Sequence, residues 1–399
     1  MSTKSTEVPP VARTPEEWGE AVRKMGGRAY HGKQIFRWIQ ARGVLDPSQM
    51  SDLPGSMRQA LAEGGVGPVV SIAEERRSAD NTRKMLVKLR DGATVETVLI
   101  PNVTAGKSSL PDPTRPSVPG TGEVLEDADA AAAVEDEDDA GEGSNVARVT
   151  QCISTQVGCA MGCVFCASGQ AGLKRHLGPD EIVGQVLLGK SRLDPGEQLR
   201  NVVFMGMGEP LHNYEATART LKLLTHPDGI SLSSRRVTVS TSGLVPEIER
   251  LGQDFAGNIG LAVSLHAADD ETRSRLLPIN KKYPLAKLMG ALRAYPLPSR
   301  RRITIEYTLV AGRNDNAEEA KKLSKLLRGL PVKVNLIPMN PIADSALGPP
   351  DLSSVLAFQQ VLCDDGYSCF IRRRRGDDVS AACGQLALAG AKRKIRLVS

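Results

Sequence analysis

Between residues 14 and about 65 the apolar positions Trp18, Val22, Ile35, Trp38 and Ile39 fall at near-helical spacing, and Pro54-Gly55 punctuates the run. Apolar residues three or four apart share one helix face, so this stretch reads as a set of short helices. From about residue 70 the period changes to two. Residues 69–72, 85–89 and 94–100 read as strands, and Asp91-Gly92 between the last two is the turn dipeptide of a tight hairpin. The pattern then breaks. Residues 103 to about 147 are rich in Pro, Gly, Ser, Ala, Asp and Glu and hold almost no large apolar side chain. Such a segment cannot offset its ordering entropy by burial, so a disordered insertion is expected.

Beyond it, β-rich runs at 148–154, 201–205, 236–241, 260–265, 303–309 and 332–337, with one more at 368–372, alternate with helical stretches at 179–193, 214–224, 246–251, 285–294 and 318–327. Regular alternation implies parallel strands joined by crossover helices. Six such units put the chain in the α/β class, as an incomplete or full β/α barrel. The expected organisation is a helical accessory domain at 1–68, a β-hairpin extension at 69–102, the insertion at 103–147, a barrel core at 148–377 and a C-terminal segment at 378–399.

Charge sharpens this picture. The net charge is +5, yet ten acidic and no basic residues lie between Glu123 and Glu142, so the remainder carries +15. That surplus suits a polyphosphate partner, and binding of that kind weakens steeply with salt. Arg23, Lys24, Arg28, Lys33, Arg37 and Arg42 make the N-terminal helices basic, as an RNA-contacting or a merely solvated face. No apolar run approaches the ~18 residues of a membrane span, and residues 1–13 lack the apolar core of a secretory signal. A cytoplasmic protein is expected. Seven cysteines in 399 residues, three of them tightly clustered, suit metal or redox chemistry better than a disulfide framework.

Cys159-Ala-Met-Gly-Cys163-Val-Phe-Cys166 is the strongest chemical signal. Three thiolates so spaced can ligate three irons of a 4Fe-4S cluster and leave the fourth for the amino and carboxylate groups of S-adenosylmethionine (SAM). Structural zinc is the alternative, but it takes four protein ligands, and the nearest candidate beyond the loop is His176. The spacing, with Phe165 before the last cysteine, resembles the radical SAM superfamily signature. Gly206-Met207-Gly208-Glu209-Pro210, after the second predicted strand, resembles that superfamily's segment for the SAM amino group.

Four further runs narrow the resemblance. They are Val237-Thr238-Val239-Ser240-Thr241-Ser242-Gly243, Ser264-Leu265-His266, Asn335-Leu336-Ile337-Pro338-Met339-Asn340-Pro341 and Arg375-Gly376-Asp377-Asp378. With Ala381-Ala382-Cys383-Gly384-Gln385, they resemble the RlmN/Cfr family of radical SAM RNA adenine methyltransferases over nearly the whole chain. The acidic insertion is the main departure, since the family links the segments of Glu96 and Cys152 by a short connection. The cluster loop, Gly208-Glu209, Ser240, Ser264 to His266 and Asn340 all follow predicted strands, at the end where β/α barrels gather their sites.

The resemblance implies a partial (β/α)6 TIM-like barrel, one 4Fe-4S cluster and two SAM molecules per turnover. It assigns Gly208, Glu209, Ser240, Ser264, Leu265, His266 and Asn340 to SAM. One SAM methylates Cys383; a second is cleaved to a radical that activates the methyl-cysteine, which then adds to the adenine ring. Glu96 takes the ring proton, and Cys152 releases the product through a transient Cys152–Cys383 disulfide. The implied partners are 23S ribosomal RNA, transfer RNA and an electron donor such as flavodoxin or ferredoxin, with the enzyme a monomer. The Cfr-type alternative is methylation at carbon 8 instead of carbon 2 of the same ribosomal adenosine; a zinc-bearing, non-catalytic RNA-binding protein is the remote one. Read alone, Cys152 and Cys383 could be small buried hydrophobes and Glu96 a surface carboxylate. Cys363 and Cys369 match nothing and read as structural. Arg372 to Arg375 could clamp RNA phosphate, and Arg375 could lower the Cys383 pKa. His212 and His226 receive no role.

Overall fold

The computed structural model describes residues 7–102, 146–340 and 347–372. Most of the acidic insertion, Arg373 to Asp378 and the segment carrying Cys383 therefore lie outside the described residues.

Helices α1 (Pro15–Lys24), α2 (Tyr30–Phe36) and α3 (Gly55–Glu63) form the N-terminal module. Thr14 and Glu17 close a capping box on α1, and the helix then buries Trp18 and Val22. Several basic residues of this module, though exposed, are engaged at the surface. Lys33 and Arg37 both pair with Asp228, and Arg42 stacks over Trp38 at 4.0 Å. Glu17 meets Arg219 at 2.8 Å. Half of the basic side chains read as an RNA face or a solvated one are thus engaged by the protein itself.

Strands β1 (Val70–Arg77), β2 (Arg83–Leu89) and β3 (Thr94–Pro101) form an antiparallel meander, and β4 (Ala147–Cys152) pairs antiparallel with β3. The short β5 (Gln156–Val157) and β6 (Arg175–His176) make a separate ribbon around α4 (Ala167–Ala171). The chain then alternates. α5 (Pro179–Lys190), β7 (Glu197–Phe204), α6 (Tyr214–Thr225), β8 (Val237–Thr241), α7 (Val245–Phe255) and β9 (Gly260–Ser264) come first. After these follow α8 (Asp270–Leu276), α9 (Leu285–Ala294), β10 (Ile303–Leu309), α10 (Ala317–Leu327), β11 (Val332–Pro338), α11 (Leu352–Asp364) and β12 (Ser368–Ile371).

The ten-stranded sheet runs β1-β2-β3-β4-β7-β8-β9-β10-β11-β12, parallel from β4 onward. Among the described strands its two edges do not meet, so the barrel is partial. The predicted strands all appear. α8 and α11 were not foreseen: the first lies in a charged run, the second lacks a clear apolar stripe.

Side-chain direction follows from contacts on the outer face. Tyr307 packs on Phe358 of α11 with ring centroids 5.1 Å apart, so Glu306, its neighbour on β10, turns inward. On β4 the Gln151 amide donates outward to the Gln185 carbonyl of α5 and to Thr97 Oγ1, which turns Cys152 and Glu96 inward. Register places Cys152 beside Val98 of β3, and Ser264 beside Glu306, which pairs with Asn335. The long insertion leaves after Asn102 and returns by Val146, at the joined ends of β3 and β4; the Asn102 N–H donates to the Arg148 carbonyl at 2.7 Å. A loop closing on adjacent strand ends is tolerated because closure entropy grows slowly with its length.

Candidate active site

The cysteine loop crosses the C-terminal rim between β5 and α4. Its backbone is pinned at both sides: Cys159 N–H donates to the Gly172 carbonyl at 3.2 Å, and Val164 N–H to the Leu276 carbonyl at 3.1 Å. Gly158 makes the tight closure possible, since a Cβ there would stand 1.9 Å from the Gly172 oxygen. Cys159 is buried, and Cys163 and Cys166 are half-buried. Burial pushes the Cys159 thiol up to about 12 and Cys163 well above its ordinary value, and each feels the charge of Cys166. Arg273 acts the other way on Cys163. Metal ligation takes thiols as thiolates, so bound iron would reverse the balance that burial alone sets.

The donor set fits an iron–sulfur cluster. Among the described residues no three His, Cys, Asp or Glu side chains converge to hold a single metal ion, and His176 does not join the thiols. A cluster spreads its thiolates over separate irons and tolerates sulfurs that stand apart.

Glu209 is fully buried beside the loop. Its carboxylate accepts from the Ser242 N–H at 2.7 Å, the Ser242 hydroxyl at 2.9 Å and the Leu211 N–H at 3.1 Å. Burial raises its pKa, and these donors oppose the rise. Gly208, at φ 101°, lets the turn close on Gln156, whose Cβ would lie 2.5 Å from a Cβ at that position. Gln156 Oε1 accepts the Glu209 N–H at 2.9 Å.

Ser240 lies inward on β8, Ser264 ends β9, and Leu265 and His266 follow it. His266 has φ 58°, and its Nδ1 accepts from the Thr308 N–H at 2.8 Å, which leaves the proton on Nε2. Burial holds this imidazole down at about 3. Its ring meets Phe165 of the cysteine loop edge-on, centroids 4.7 Å apart. Asn340 is buried just past β11, where Met339 N–H donates to the Leu309 carbonyl at 2.9 Å.

Four residues here had no assignment from sequence. Buried Arg273 donates to the carbonyls of Ser242 (2.8 Å), Leu265 (3.1 Å) and Ser264 (3.2 Å) and to Asn280 Oδ1 (2.8 Å), tying the β8 and β9 rims together. Ser242 engages Glu209 through both its N–H and its hydroxyl. Asn314 bridges the His266 and Thr308 carbonyls at 2.7 Å each. Lys84 stands 2.7 Å from the Glu96 carboxylate. Ser242 lies within the run Val237 to Gly243; Arg273 sits in the charged run Asp269 to Arg275, where nothing in the local pattern marks a buried position.

Glu96 is buried, not the surface carboxylate that its hairpin setting suggested. Thr97 Oγ1 donates to the Cys152 carbonyl at 2.7 Å, and Ser154 Oγ to the Glu96 carbonyl at 2.6 Å, so Glu96 and Cys152 are held on one rigid strand pair. Cys369 is buried and Cys363 exposed, both away from this rim on α11 and β12.

A parallel strand rim with a three-cysteine loop defines a radical SAM site, and residues 153–327 match the family model described as Radical SAM superfamily. Residues 14–65 match the model for the Ribosomal RNA large subunit methyltransferase N-terminal domain. The Dual-specificity RNA methyltransferase RlmN of Sorangium cellulosum is 65% identical, covering 98% of this chain and 99% of its own length. That of Syntrophobacter fumaroxidans is 41% identical over 93% of this chain and 94% of its own. A solved radical SAM methyltransferase from Sphaerobacter thermophilus superposes with a TM-score of 0.80 at 37% identity, covering 95% of this chain and 99% of that one. The chain belongs to the RlmN family of radical SAM enzymes that methylate RNA. Among the described residues no helix is long and apolar enough to cross a membrane.

Proposed function

We propose that the protein methylates carbon 2 of one adenosine in 23S ribosomal RNA at the peptidyl transferase centre, and the adenosine beside the anticodon in some transfer RNAs. The dual specificity in the names of its relatives supports both substrates. The observation that carries the reading is that Glu96 and Cys152 lie on neighbouring strands with both side chains on the inner face, the face that Ser264 shares. A base and a resolving thiol belong together only if the reaction joins protein to RNA and then separates them.

Cys159, Cys163 and Cys166 would hold the 4Fe-4S cluster, which supplies the electron that cleaves SAM. Gly208, Glu209, Ser240, Ser264, Leu265, His266 and Asn340 would surround SAM, with Arg273 fixing the carbonyls of two of the loops involved. Cys383, outside the described residues, would carry the methyl group to carbon 2 of the ring. Glu96 then accepts the ring proton. The Cys152 thiolate attacks the Cys383 sulfur, the carbon–sulfur electron pair leaves with the exocyclic carbon, which takes up a proton to become the methyl group, and a Cys152–Cys383 disulfide forms. Two electrons from a flavodoxin- or ferredoxin-type donor restore the thiols, and two SAM molecules are used per methylation. The enzyme acts as a monomer in the cytoplasm, where its RNA resides.

Nucleoside mass spectrometry of RNA from a strain lacking the gene tests this. Loss of 2-methyladenosine is expected. Its persistence overturns the assignment, and loss of 8-methyladenosine instead would make the enzyme Cfr-type.

A further inference from the structure

His176 and His212 belong to no step above, yet they form a built pair beside the Glu209 turn. Both side chains are exposed, with ring centroids 5.0 Å apart. Both direct Nδ1 at the same buried amide: Gln156 Nε2 stands 3.0 Å from His176 and 3.2 Å from His212. The amide cannot turn over, because its Oε1 accepts the Glu209 N–H at 2.9 Å. Its NH2 end therefore faces the imidazoles, and an NH2 group only donates. Both Nδ1 atoms accept, so both rings are neutral and carry their proton on Nε2. The two nitrogens of an imidazole point nearly opposite ways, which aims both N–H groups away from the protein. Burial, aided by His212, also holds His176 below the ordinary imidazole range.

We propose that this pair docks a phosphodiester group of the RNA backbone beside the SAM rim, each Nε2–H donating to phosphate oxygen. This rests on the RNA-methylation reading above. A metal ion is the wrong ligand: coordination by Nε2 moves the proton to Nδ1, against a donor, and flipping Gln156 to accept it would set NH2 against the Glu209 N–H. The surroundings suit an anion. Lys174, two residues before His176 on the same extended run, is exposed. The carboxylates of Asp91 and Glu181 are engaged by Arg175, at 2.7 Å each.

The test uses full-length, cluster-reconstituted protein and a transcript of the ribosomal RNA domain containing the target adenosine, with binding measured across a chloride series. The paired change His176→Ala/His212→Ala should weaken RNA binding about tenfold, as loss of two hydrogen bonds to a charged group does. Neutral donors release no counterions, so the slope of log affinity against log salt should match that of the parent. Lys174→Ala should reduce that slope by about one phosphate contact. His176→Gln/His212→Gln keeps a donor near each Nε2 position and should restore most of the affinity. Unchanged RNA affinity in the Ala pair would overturn the proposal. So would an equal loss of SAM affinity, since the pair would then merely prop the Glu209 turn. If the unaltered protein binds no RNA, the methylation reading fails instead.

Discussion

The Lys84 ammonium meets the Glu96 carboxylate at 2.7 Å, and both side chains are almost wholly withdrawn from solvent on the inner side of the sheet. The pair is diagonal across β2 and β3, where Glu96 lies opposite Leu86. The carboxylate proposed to accept the ring proton is thus fixed at one position on a rigid strand. Glu96→Gln should lower methylation about 100-fold or more while leaving SAM affinity in place, as removal of a general base does. Lys84→Met should leave the carboxylate buried without its cation and lower unfolding free energy by about 3 kcal/mol in a urea titration. Normal turnover by Glu96→Gln would remove the residue from the chemistry.

Cys152 is the next test. Its carbonyl is held by Thr97 Oγ1, so its place on β4 does not depend on the thiol. Cys152→Ala should stall after the protein has joined the RNA, leaving a covalent adduct that runs as a shifted band on a denaturing gel. Free RNA with ordinary turnover would exclude the resolving role.

Arg273 binds three backbone carbonyls from two loops through one planar guanidinium. A lysine cannot reproduce that fork. Arg273→Lys should weaken SAM binding at least about tenfold and cost about 2 kcal/mol of stability, because buried carbonyls lose their donors. Equilibrium dialysis with SAM gives the first number and denaturant unfolding the second. Unchanged SAM affinity would show that the β8 and β9 rims hold themselves.

His266 gives a pH prediction. Its folded pKa is depressed to about 3 by burial, while the unfolded value is ~6.5. Between these values the unfolded chain binds more protons, so stability from this site is present above the unfolded value and lost as pH falls toward the folded one. His266→Asn keeps an acceptor for the Thr308 N–H and tolerates the left-handed backbone at φ 58°. Urea unfolding from pH 7 to pH 4 should show a shallower fall in stability for this variant. Parallel curves would mean His266 titrates normally.

Strand positions were legible because period-two runs separated by helical stretches leave few alternatives; 303–309 was read to the residue. The cysteine loop was legible because its spacing is a local ligand pattern. Arg273 was not, since an arginine among Asp269, Asp270 and Arg275 looks like one of a run of solvated charges, and only the fold shows it buried under two rims. Glu96 and Cys152 lie 56 positions apart with the insertion between them, so their common orientation depends on the β3–β4 register, which no local pattern states. Gln156 and its two histidines were invisible for the same reason: β5, β6 and the turn after Glu209 meet only in three dimensions.

The central claim is that three thiols on one loop hold an iron–sulfur cube with a corner left for SAM. Anaerobic reconstitution followed by iron and sulfide analysis and electron paramagnetic resonance of the dithionite-reduced protein, with and without SAM, tests it directly. About four irons per chain and a reduced-cluster signal that changes when SAM is added are predicted. A colourless protein holding one zinc, or a cluster signal indifferent to SAM, would contradict it.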